Sequence, residues 1–138
     1  MSDPPDFVHP TLGAFVYDSV LECHEGYLRE DVPLFVRADD GTAPPALDRL
    51  AADPDSLVEA AAQHATEALR PIKNESWLDD GEAPLTEAAF RDRLALGSID
   101  VTASGFVVAF DDGDLFWGHA ILVEGTPDGT FTEASIAG

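Results

Sequence analysis

The chain has 138 residues, 27 acids against 7 bases and a formal net charge of −20, with 45% apolar and 9% aromatic residues. That size and composition fit one globular domain that buries roughly two-thirds of its extended-chain surface, and they exclude a disordered chain. A surface so acidic repels nucleic acid and anionic membranes and attracts cations or a basic protein partner.

The same acidity also arises in a proteome that is acidic throughout, as in a salt-rich cytoplasm. Cys23 is the single cysteine, so neither an internal disulfide nor a cysteine-based zinc site can form within one chain. No apolar run reaches transmembrane length, and "MSDPPDFVHP" has neither a basic n-region nor an apolar h-region. A reducing, cytoplasmic setting is expected.

Residues 1–12, rich in proline at the start, read as a flexible arm ahead of a single domain over 13–138. "GAFVYD", "SVLECH" and "VPLFVRA" read as strands, with Glu25-Gly26 as a turn between the second and third. "DDGTAPP" (39–45) reads as a loop. Residues 46–70 are helical, divided at Asp53-Pro54, where Asp suits the N-cap and Pro the first helical position. Leu57, Val58, Ala61, Ala65, Ala68 and Leu69 then form an apolar stripe. Pro71 predicts the helix end near Arg70. The irregular connector over 72–84 is long enough to be functional or pinned, with Trp77 as the pin. Thr86 caps a short helix running to about Leu94.

From Gly97 the period becomes two. "SIDVTA", "FVVAFD", "DLFWGHAILVE" and "TFTEASIA" read as an antiparallel β-meander. Placing a type I′ turn at Asp112-Gly113 sets Asp111 opposite Asp114, Phe110 opposite Leu115, Val108 opposite Trp117 and Phe106 opposite His119. Both faces of that hairpin are apolar, so it is expected to be central and covered on both sides at least in part. The predicted class is α+β: a mainly antiparallel sheet from both ends of the chain, packed by one longer helix and one or two short ones.

Several residues could carry chemistry. Asp111 and Asp114, side by side, would invite a cation, although the loop lacks the ligand spacing of an EF-hand. His119 is a possible general base or metal ligand, and alternatively a core histidine. In "KNESW", Glu75 could act as acid or base with Lys73 setting its charge, and Asn74 and Trp77 could bind a ligand. Trp117 reads as core or as a stacking platform. Cys23 and His24 are adjacent, and strand geometry turns them to opposite faces, which argues against a nucleophile–base pair. His9 reads as incidental, and His64 as a boundary residue beside the apolar stripe rather than a ligand. No common cofactor or hydrolase signature is present and no cofactor is indicated.

The segments "NESWLDDGE…LTEAAFRDRLALGSIDV" and "DGDLFWGHAILVEGTPDGTFTEASIAG" together resemble a bacterial family known as a domain of unknown function, numbered twenty-two sixty-two. Its "F-x-Y-D" strand corresponds to Phe15–Asp18, its "N-x-x-W" connector to Asn74–Trp77, and its C-terminal hairpin runs to a final "A-G". The resemblance implies a single intracellular α+β domain and carries over no catalytic residue. Two functions follow from the residues. One is a non-enzymatic binding or adaptor module, immunity-like, that occupies a basic partner. The other is a small metal-dependent hydrolase or other enzyme in which His119, Glu75, Asp111 and Asp114 converge on one cleft.

Overall fold

The computed structural model describes residues 4–29, 31–37 and 43–137; positions 39–42 of the expected loop lie outside them. The described residues form β1 (Phe7–His9), β2 (Gly13–Asp18), β3 (Cys23–Arg29), β4 (Val32–Val36), α1 (Pro45–Ala52), α2 (Pro54–Ser76), α3 (Glu87–Asp92), β5 (Ala95–Thr102), β6 (Gly105–Asp111), β7 (Ala120–Gly125) and β8 (Phe131–Ala137). All eight strands lie in one sheet in chain order. Neighbours are antiparallel except β4 and β5, which are parallel because the three helices lie between them in the chain. The fold is α+β, and its last four strands are a meander.

Alternation explains the core. Leu34 and Val36 of β4, Ile99 and Val101 of β5, Phe106, Val108 and Phe110 of β6, and Ile121 and Val123 of β7 are all buried. They join one cluster with Leu57, Ala61, Ala65 and Leu69 of α2. The small alanines let that helix approach the sheet closely. Asp53 caps it by accepting from Ser56 N at 3.2 Å, as its sequence position predicts. Thr86 caps α3 likewise, through Ala89 N. The alternate residues Val107, Ala109 and Leu122 are half-buried and lie outside the core cluster. The β6–β7 pair is therefore packed into the core on one side and covered in part on the other.

Three expectations are corrected. Residues 7–12 are not a loose arm. Phe7 pairs with Phe15 in the sheet and stacks on its ring at 4.9 Å. His9 Nδ1 accepts the Thr11 and Leu12 amides, and Nε2–H donates to Asp48 at 2.8 Å. The prolines flank this strand rather than abolish it. Glu25-Gly26 is not a turn. The chain reverses at residues 19–22, where Asp18 Oδ1 accepts the Val20 and Leu21 amides. Gly26 lies within β3 because the Phe15 ring occupies the space of a side chain: a Cβ there would sit 2.6 Å from it.

The third correction concerns Pro71, which does not end α2. The carbonyl it leaves without an N–H belongs to Glu67, and both residues are exposed, so water can reach it. The turn beyond is held from inside. Buried Lys73 donates to Trp77 O at 2.6 Å and to Glu82 Oε1 at 2.8 Å. Asn74 exchanges two hydrogen bonds with the Leu85 backbone.

Asp100 is half-buried on β5, and burial pushes its carboxyl above the ordinary carboxylate range, with Arg37 opposing. The folded state then holds that proton more tightly than the unfolded chain does. Its ionisation costs stability above the raised folded value, and the cost disappears as pH falls through that value to the ordinary one. Asp100→Asn is expected to raise the melting temperature at pH 7. The gain should vanish at about pH 3, where both states hold the proton.

Candidate functional site

The segment between β6 and β7 carries the most unusual backbone. Asp111 pairs with Ala120, Phe110 with Ile121, Val108 with Val123 and Phe106 with Gly125. The expected two-residue turn, and the pairing of Asp111 with Asp114, Phe110 with Leu115, Val108 with Trp117 and Phe106 with His119, do not form. Residues 112–119 are a loop instead. The cause is Asp112, which is 2% exposed. Its Oδ1 accepts Asp114 N at 3.0 Å, and its Oδ2 accepts Phe116 N at 2.8 Å, Gly118 N at 3.2 Å and His119 N at 3.1 Å. A buried carboxylate is tolerable only when it is bonded so fully.

Four amides drawn onto one side chain cannot also serve a strand ladder. The chain accommodates this with positive φ at Gly113, Asp114, Trp117 and Gly118. Leu115 and Phe116 meanwhile drop into the core, fully buried. From outside, Arg93 Nε donates to Gly113 O at 3.0 Å.

This geometry turns Trp117 outward. Its φ is 60° and the residue is 57% exposed. Positive φ in so bulky a residue is an outlier that the surroundings must enforce. The ring meets Trp77 at 4.6 Å with the planes 55° apart. Trp77 also meets Phe116 edge-on at 5.4 Å and His119 at 5.7 Å. His119 Nδ1–H donates to Phe116 O, which leaves Nε2 with the ring's lone pair. Trp77 is fixed in turn by the end of α2. Its amide donates to Lys73 O, and Lys73 reaches its carbonyl. Glu82 completes that clasp, and the Lys73 bond holds its carboxyl below the ordinary range.

The structure thus brings Trp77, Trp117 and His119 together and leaves the other expected residues apart. Asn74 binds Leu85 and serves the connector. Glu75 is exposed on the last turn of α2, and Lys73 pairs with Glu82 rather than with it. Asp111 Oδ1 accepts Gly113 N, while Asp114 is exposed. Among the described residues no group of three or more His, Cys, Asp or Glu side chains is placed to hold a metal ion. Cys23 is buried, which raises its thiol pKa and disfavours the nucleophilic thiolate. A cleft of about 810 Å³ lies between α1, α2 and the β7–β8 turn, and neither tryptophan nor His119 lines it. Sequence reasoning missed Asp112 and Glu82. Nothing in "DDGD" distinguishes the buried aspartate from its neighbours; the lone lysine was the available signal for Glu82.

Two measurements test this geometry. Asp112→Asn replaces an all-acceptor carboxylate by an amide with donors facing donors, and should cost about 3 kcal/mol, or roughly 10 °C in a thermal melt. Trp117→Gly and Trp117→Ala both remove the ring, but only glycine is at ease with positive φ. The glycine variant should be the more stable by about 1 kcal/mol in denaturant titration.

No curated protein and no solved structure matches the chain. One family model does, described as an uncharacterized protein conserved in bacteria (DUF2262), and it spans residues 9–136. That span includes the Asp112 loop and the Trp77 connector, and the chain belongs to this bacterial family.

Proposed function

We propose that the protein is a non-enzymatic binding or adaptor module, immunity-like in using an acidic face to occupy a basic protein partner. The observation that carries this reading is Trp117, an exposed indole held at positive φ by a buried carboxylate. Straining its backbone works against folding, and such strain concentrates where a site is used. Tryptophan is enriched among the few residues that dominate binding at protein interfaces. The clefts beside α1 and α2, between α2 and α3, at β6–β7 and at β2–β3 are lined by other residues than Trp77, Trp117 and His119, and small-molecule sites are typically concave. A net charge of −20 favours rapid encounter with a basic surface. The chain's single cysteine accords with a reducing cytoplasm, and among the described residues no helix is long and apolar enough to cross a membrane.

A second reading, a small enzyme using His119, has one observation in its favour: the Nδ1–H bond to Phe116 O orients the ring and leaves Nε2 as a base. The metal-dependent form would also need Glu75, Asp111 and Asp114 to join His119, and this they do not do.

The test begins with affinity capture from the source cells, identification of the captured protein and titration of that purified partner. Trp117→Ala should weaken its binding at least about tenfold, or about 1.4 kcal/mol, while the fold remains intact by melting. Affinity should also fall as salt rises. A partner that binds the variant and the wild type equally would contradict the reading, as would failure to find any partner.

A further inference from the structure

We infer that Trp117, Trp77 and His119 form a receptor for an arginine side chain of the basic partner. The inference rests on the docking reading above and adds the chemistry that the docking site recognises. Three observations converge on it. First, Trp117 is more than half exposed as a residue and its ring meets Trp77 at an angle of 55°, which leaves indole surface for a ligand. The face of an indole attracts cations, and a planar guanidinium stacks on it.

Second, because Nδ1–H of His119 is bonded to the Phe116 carbonyl, the neutral ring offers Nε2 as a hydrogen-bond acceptor beside Trp77. A donor-only group matches that acceptor, and guanidinium carries five N–H donors. Third, acidic side chains outnumber the cations along the two segments that carry these rings. Glu75, Asp79 and Asp80 are exposed within three residues of Trp77, and Asp114 is exposed three residues before Trp117. The nearby cations are already engaged: Lys73 is buried against Glu82, and Arg93 is bound to Gly113 O and lies 3.6 Å from Glu82. A lysine head, compact and strongly hydrated, stacks less well and should bind more weakly.

Trp77 and Trp117 are the chain's two tryptophans, so fluorescence excited selectively in tryptophan, where the two tyrosines do not absorb, reports on this site. The experiment titrates the folded protein with acetyl-Gly-Arg-Gly-amide and with the same peptide carrying citrulline, which keeps the shape and removes the charge, at matched ionic strength. The arginine peptide should saturate with a Kd below about 10 mM. Citrulline should bind at least about tenfold more weakly. Trp117→Ala, checked for folding by melting, should abolish the response of Trp77, and His119→Ala should weaken binding. Equal binding of the two peptides, or full binding to Trp117→Ala, overturns the inference. If Trp117→Ala still weakens the protein partner in that event, the docking reading stands and the arginine receptor alone falls. If neither ligand depends on Trp117, both fall.

Discussion

The carboxylate of Asp112 is the interaction on which the rest of the site depends. It is buried, and it collects amides from residues 114, 116, 118 and 119 onto two oxygens. A charge removed from water must be compensated locally, and here the compensation is the shape of the loop itself. Because those amides point inward, the chain cannot close as a tight hairpin. Positive φ at Trp117 follows, and its ring stands out from the surface. Leu115 and Phe116, neighbours of the same turn, fill the core beneath.

A second fixed point lies about forty residues earlier in the chain. Lys73, buried at the end of α2, joins the Trp77 carbonyl to Glu82, and Arg93 links the Glu82 region to Gly113 in the Asp112 loop. Two irregular segments are thereby locked to each other as well as to the core. Trp77 and Trp117 meet because both of their loops are anchored by buried or half-buried charge. The eight-stranded sheet and α2 supply the frame, and the polar contacts decide what that frame displays.

The elements set by local pattern were legible in the sequence. The Asp53-Pro54 boundary, the Thr86 cap, the alanine-rich stripe of α2 and the strands at both ends rest on periodicity and capping, which neighbours along the chain determine. The errors came where a contact distant in sequence overrides a local signal. Pro71 is a strong stop, yet the buried Lys73 and the Asn74–Leu85 bonds carry the helix past it. Gly26 looked like a turn and is a gap for the Phe15 ring. Asp112-Gly113 looked like a type I′ turn because pattern cannot show that the aspartate is buried. Of the residues whose types suggest chemistry, Trp77, Trp117 and His119 do meet, while Glu75, Asp111 and Asp114 form no common metal site among the described residues.

The most direct test of this account is backbone amide hydrogen exchange by NMR at residues 112–119. The loop has no strand pairing, so ordinary loop amides there would exchange quickly. If Asp112 holds the loop as described, the amides of Phe116, Gly118 and His119 should be protected at least about a hundredfold, approaching those of β6 and β7. Exchange at these three amides as fast as in an open loop would contradict it, and Trp117 would then have no fixed mounting from which to act.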